Sequence, residues 1–139
     1  MLRAFMISAR QKVLTASEVV KLRIDSGWDA DTAEWEDCLA HNMVNVSART
    51  ADGEVIGVGF ISGTVRHAEV VDMVVSPDYR KHGIGAQILD YLCDYAADKH
   101  IRYFGSTYDK NSPWLKEFYR KHGFEPIDFA MWHSSSLEK

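Results

Sequence analysis

A chain of 139 residues is one domain's worth of sequence, long enough to bury a core without a metal or disulfide staple. Its 46% hydrophobic and 26% charged residues are the composition of a soluble globular protein, and a net charge of −4 argues against a dedicated nucleic-acid binder. No apolar run reaches the ~18 residues of a membrane-spanning helix, and no signal-peptide core follows the N-terminus. Cys38 and Cys93 have no CxxC spacing and the six histidines are scattered, so reduced thiols, no metal site and a cytoplasmic location are expected. The expected organisation is one domain over residues 1–133 and a polar tail over 134–139.

Residues 2–8 are apolar enough for an edge strand. Thr15-Ala16-Ser17-Glu18 reads as a capping box opening a helix that carries Val19, Val20, Leu22 and Ile24 and stops at Gly27. Asp31-Thr32-Ala33-Glu34 repeats the capping pattern for a second helix to His41, with Asn42 as a left-handed cap. The period then changes. Val44 to Thr50 and residues 54–62 are strands around an Asp52-Gly53 hairpin turn. Glu69 to Val75 is a third strand, stopped by Ser76-Pro77. From Ile84 to Lys99 the pattern is helical, with Ile88, Leu89, Leu92, Tyr95 and Ala96 on one face. Ile101 to Thr107 is a strand. Ser112-Pro113 starts a helix with Trp114, Leu115, Phe118 and Tyr119 that ends at Gly123, and Phe124 to His133 is a final strand. The order is β-α-α-β-β-β-α-β-α-β, an α/β domain with a mixed, mostly antiparallel sheet flanked by helices.

The most informative stretch runs from Val75 through Arg80-Lys81-His82-Gly83-Ile84-Gly85. It is a strand, a basic turn, two spaced glycines and a long helix. The first amides of a helix have no internal partner, and with the helix dipole they form an anion site. Gly83 and Gly85 remove Cβ atoms at the point of closest approach, and Arg80 and Lys81 add positive charge. A diphosphate is the expected guest. The Gly-Lys-Ser/Thr ending of a Walker loop is missing, and Ile88 stands where a dinucleotide fingerprint needs a small residue.

Arg80-Lys81-His82-Gly83-Ile84-Gly85 resembles the Arg/Gln-x-x-Gly-x-Gly/Ala signature of the GNAT family of N-acetyltransferases. Val75-Ser76-Pro77 and Phe118-Tyr119-Arg120-Lys121-His122-Gly123-Phe124 are similar to two further phrases of that family, and the resemblance extends over residues 44–130. It implies the GNAT fold and acetyl-CoA as acetyl donor, with the diphosphate held by residues Arg80 to Ala86. It also implies a pantetheine arm along Met73, Val74 and Val75, in a gap where the sheet splays toward the next strand. In such an enzyme the amine attacks the thioester through a tetrahedral intermediate, with a backbone amide of Met73 or Val75 as oxyanion donor.

The resemblance assigns Tyr119, five residues before Phe124, as the acid that protonates the leaving thiolate. A phenol with pKa near ~10 suits that task. It offers Glu69 as base, on the spacing of the histone-acetylating branch; the alternative is a water chain without a dedicated base. Strict alternation would put Glu69, Val71, Met73 and Val75 on one face and Asp72, the rival base, on the other. The family's cofactor-arm asparagine corresponds in spacing to Ser112, with Asn111 one residue early, and Asn111 is the expected contact.

The family's first two helices line the acceptor side. Here residues 24–48 hold Asp25, Asp29, Asp31, Glu34, Glu36 and Asp37 and no Lys or Arg. Such a rim attracts a small cationic amine, with Trp28 or Trp35 adding cation–π contact. Acetylation of a protein lysine or N-terminus and a non-catalytic acyl-CoA-binding regulatory module are the alternatives. Homodimers are common in the family, but no patch of this sequence predicts one.

Overall fold

The computed structural model describes residues 5–8, 13–108 and 111–127. Along them the elements are β1 (Met6–Ser8), α1 (Ala16–Asp25), α2 (Thr32–His41), β2 (Val44–Arg49), β3 (Val55–Gly63), β4 (His67–Val75), a 3₁₀ turn (Pro77–Tyr79), α3 (Ile84–Asp98), β5 (Tyr103–Ser106) and α4 (Trp114–Arg120). The expected final strand is not formed over 124–127; its remainder, and the tail 134–139, lie outside the described residues. The chain divides into two compact units, residues 1–107 and 108–139.

The first unit is built on one sheet of order β1-β2-β3-β4-β5, antiparallel except for the parallel β4–β5 pair. The capping box of α1 forms as read from the sequence. The Thr15 hydroxyl accepts from the Glu18 N–H at 3.2 Å, and Glu18 Oε1 accepts from the Thr15 N–H at 3.1 Å. Val19 and Leu22 then face the sheet and join Trp35 of α2 over Val58, Phe60 and Val74. The Trp35 and Phe60 rings lie 5.2 Å apart. Asn42 is not a left-handed cap: it is extended at φ −62°, ψ 149°. The chain passes directly into β2, where Asn42 Nδ2 donates to Asn45 Oδ1 and Asn45 Nδ2 returns to the Leu39 carbonyl. That side-chain bridge replaces the turn a left-handed residue would make.

The opposite face belongs to α3, whose Ile84, Ile88, Leu89, Leu92 and Ala96 are buried. Tyr95 is half-buried, and its hydroxyl donates to the Met43 carbonyl at 3.2 Å. The helix seats closely on β3 because Gly57 and Gly59 present no side chain to it. A Cβ on Gly59 would stand 2.6 Å from Ile88 Cγ2 and 3.2 Å from Leu92 Cδ1.

Arg49 of β2 is buried, its side chain 8% exposed. Glu18 reaches it with both oxygens, at 2.6 and 3.0 Å, and the Gly53 carbonyl accepts at 2.9 Å. One carboxylate therefore caps α1 and neutralises the buried cation of the sheet. The Arg49 guanidinium, helped by the Thr15 amide and hydroxyl and opposed by partial burial, lowers the Glu18 pKa from 4.5 to about 2.

Two outcomes follow from this packing. Gly59→Ala should destabilise the protein by about 1–3 kcal/mol, because the Ile88 branch methyl cannot rotate clear; chemical denaturation measures it, and an unchanged midpoint contradicts the close seating. The lowered Glu18 pKa contributes stability in full above 4.5, and that contribution disappears as pH falls toward about 2. Glu18→Gln should cost on the order of 3 kcal/mol at neutral pH, since it strands Arg49. The wild-type advantage should shrink through that acid window, and a pH-independent gap between the two denaturation curves refutes the assignment.

Candidate functional site

The end of β4 and the start of α3 carry the features the sequence singled out. After the 3₁₀ turn, Arg80 is extended, Lys81 is left-handed at φ 65°, and Gly83 is left-handed at φ 80° as the N-cap of α3. No side chain caps this helix and its first turn holds no acid. The first intrahelical bond from this end is Gln87 N–H to Gly83 carbonyl, 3.1 Å. The amides of Ile84, Gly85 and Ala86 thus precede the ladder at the positive end of a 15-residue helix. A Cβ on Gly83 would meet nothing within 4 Å, so the approach is open. Ile84, 1% exposed, anchors the turn beneath, while Arg80, Lys81 and His82 are exposed. Arg80 also braces the turn, donating from Nε to the Val75 carbonyl at 3.0 Å. The arrangement gathers uncapped amides and exposed cations at one edge.

β4 departs from expectation. Its pairing with β3 runs Val58 to Val74 and then Phe60 to Val71, so β4 takes three steps where β3 takes two. The extra residue is a bulge, and Asp72 within it is left-handed at φ 53°. Directly paired residues share a face. Glu69, opposite Ser62, and Val71, opposite Phe60, therefore face α1 and α2 together with Val74, opposite Val58. Met73 faces α3, with its Cγ 3.2 Å from the position of a Gly59 Cβ. The expected single face for Glu69, Val71, Met73 and Val75 is thus broken by the bulge. Asp72 is not opposite to Glu69 either: its carboxylate lies 3.7 Å from Arg23 of α1. The one polar residue inside an apolar run was the available signal for the bulge.

The β4–β5 pairing covers His67–Tyr103 to Val70–Ser106 and stops there. Among the described residues, β4 has no β5 partner from Val71 to Val75. Glu69 is half-buried where the pairing ends, beside Gly105.

Tyr119 and Asn111 belong to the second unit. The N-cap position of α4 is Pro113 rather than Ser112; the Ser112 carbonyl accepts from the Leu115 N–H at 3.0 Å. Tyr119 is half-buried, its ring 5.4 Å from Phe118 and 5.3 Å from Phe124. The Tyr119 carbonyl accepts from the His122 and Phe124 amides, which fixes the five-residue spacing between the two rings. Asn111 is exposed in the turn before α4.

On the α1–α2 side an open hollow of about 730 Å³ is lined by Ile24, Gly27, Trp28, Asp29, Ala30, Asp31 and Glu34. Trp28 is exposed, whereas Trp35 is 3% exposed and belongs to the core. The cation over both rings comes from the chain itself: the Arg23 guanidinium lies 5.8 Å from Trp28 and 5.3 Å from Trp35. Trp35 is therefore withdrawn as an acceptor contact. No helix among the described residues is long and apolar enough to cross a membrane.

Residues 44–126 match the acetyltransferase (GNAT) domain. The tRNA(Met) cytidine acetyltransferase TmcA 2 of Saccharolobus solfataricus is 27% identical over 101 residues, covering 66% of this chain but 13% of that protein. Among solved structures, GNAT family protein SP0256 of Streptococcus pneumoniae superposes with a TM-score of 0.78 at 23% identity, covering 94% of this chain and 98% of that one. Protein SA2161 of meticillin-resistant Staphylococcus aureus gives 0.78 at 22%, covering 94% and 99%. At these identities the structural likeness establishes the fold. The matched domain takes in more than half of the chain, including β4, the basic turn and α3, and the protein belongs to the GNAT family of acetyltransferases.

Proposed function

We propose that the protein transfers the acetyl group of acetyl-CoA to the primary amine of a small cationic acceptor. The observation that carries this reading is the uncapped N-terminus of α3 beside a β4 edge that has no partner among the described residues. Its amides and Lys81 suit the diphosphate, and the Val71–Val75 edge suits the peptide-like pantetheine arm. One acceptor site of the Val75 carbonyl is used by Arg80, so the arm relies more on Met73 and Val74 than the sequence implied.

In this reading Glu69 takes a proton from the acceptor ammonium, directly or through water, and leaves a neutral amine. The amine nitrogen bonds to the acetyl carbon, and the Met73 amide donates to the oxygen as it gains charge. The carbon–sulfur bond breaks, and the Tyr119 hydroxyl protonates the sulfur. The second amine proton leaves to solvent and the tyrosinate regains one, so the sum is amide plus free thiol. The carboxylates of Asp29, Asp31 and Glu34 beside Trp28 favour a cationic acceptor in the α1–α2 hollow. A nucleic-acid acceptor, as in the archaeal relative's name, fits poorly with a net charge of −4.

Calorimetry with coenzyme A tests the phosphate site. Gly83→Asp should cost about 1 kcal/mol of stability, because position 83 is left-handed at φ 80°, although open space receives the side chain and a carboxylate suits a helix N-terminus. The same charge should weaken coenzyme binding by about tenfold or more, near 1.4 kcal/mol; unchanged affinity places the ligand elsewhere. Thiol release with a panel of amines tests turnover. Tyr119→Phe should lower kcat by about a hundredfold while coenzyme affinity holds, and an unaltered kcat removes Tyr119 from the chemistry.

A further inference from the structure

We propose that Arg23 is a positioning residue for acyl transfer: clamped between Trp28 and Trp35, it holds Asp72 in the left-handed conformation that forms the β4 bulge and so aims the Met73 amide. The inference rests on the acetyltransferase reading above, but its first test does not.

The clamp begins in the sequence at Gly27. This residue is left-handed at φ 89°, the Gly27 N–H donates to the Ile24 carbonyl at 3.0 Å, and the Trp28 N–H donates to the Arg23 carbonyl at 2.9 Å. That pair of bonds is a Schellman motif, which folds the chain back over the end of α1. Trp28 is thereby carried onto the guanidinium of Arg23, and Trp35 of α2 lies near it from the core. The Arg23 side chain is 14% exposed and its Nε is buried without a hydrogen-bond partner. A cation so enclosed needs an anion. Its ion-pair partner is Asp72, Nη1 to Oδ1 at 3.7 Å.

Asp72 stands at the one position of β4 where the backbone needs help. A left-handed residue other than glycine costs about 1–2 kcal/mol, somewhat less for aspartate. The Asp72 side chain is 46% exposed, so packing holds it only in part. The bulge also falls within two residues of Val70, where the β5 pairing stops, so no second strand among the described residues fixes it from that side. The β3 pairing holds Val71 and Val74 on either side, and the ion pair to α1 is the contact that bears on the Asp72 side chain between them. Loss of the pair lets Asp72 relax toward an extended conformation, which rotates the next peptide unit and with it the Met73 N–H.

The test uses Arg23→Met, Arg23→Lys and Asp72→Gly in the full chain. Glycine adopts the left-handed conformation without an ion pair, so Asp72→Gly should make the bulge independent of Arg23. Backbone NMR shifts of residue 72 in the coenzyme-free protein come first. Arg23→Met should move them from left-handed to extended values, Arg23→Lys should preserve them in part, and retained left-handed shifts in Arg23→Met overturn the proposal. Acetyl transfer comes second. Arg23→Met should lower kcat by about tenfold with KM for acetyl-CoA within about twofold, and in the Asp72→Gly background should lower it by less than about twofold. An equal loss in both backgrounds makes Arg23 a packing residue and overturns the proposal. A wild-type protein without transferase activity defeats the functional reading and leaves the NMR result to decide the role of Arg23.

Discussion

Gly57 and Gly59 leave two gaps in the side-chain cover of β3, and Ile84, Ile88 and Leu92 of α3 reach into them. The distance between helix and sheet is set there, by the absence of two methyl groups. It fixes where α3 begins, because Ile84 is both the first helical residue and a filler of the Gly57 gap. The uncapped amides are thereby held beside the end of β4, with Arg80 tying the intervening turn to the Val75 carbonyl. A helix standing further out would carry the same dipole and offer it in the wrong place.

The two faces of the sheet divide the labour. The α3 side supplies the uncapped helix amides and the buried aliphatic residues Ile84, Ile88, Leu89 and Leu92. The α1–α2 side supplies charge: Glu18 with Arg49, Arg23 with Asp72, and the carboxylates around the hollow. The bulge at Asp72 is where the two meet, since it turns Met73 to one side while its own carboxylate addresses the other. One irregular residue therefore links α1 and α2 to the backbone that the donor is proposed to use.

Much of this was legible in the sequence, for reasons of locality. The Thr15–Glu18 capping box, the Gly83 turn and the apolar face of α3 depend on neighbours a few residues apart, and each formed where it was read. Asn42 misled because its partner, Asn45, lies in the next strand, and their hydrogen bond decided the backbone. β4 misled for a deeper reason. Period-two alternation assumes equal steps on paired strands, and the extra residue at Asp72 is a property of the pairing with β3. Trp35 read as a ligand contact because acidic neighbours surround it in sequence, yet its ring packs on Phe60 in the core.

The short length of β5 has a further consequence. Among the described residues, no strand lies along one side of Val71–Val75 in β4, a stretch rich in valine. Open edges of this kind recruit foreign strands and seed aggregation. In the proposed reading a bound pantetheine arm covers this edge, and the donor then doubles as a solubility factor. Preparations stripped of coenzyme then lose material to precipitation sooner than loaded ones, whatever their catalytic condition.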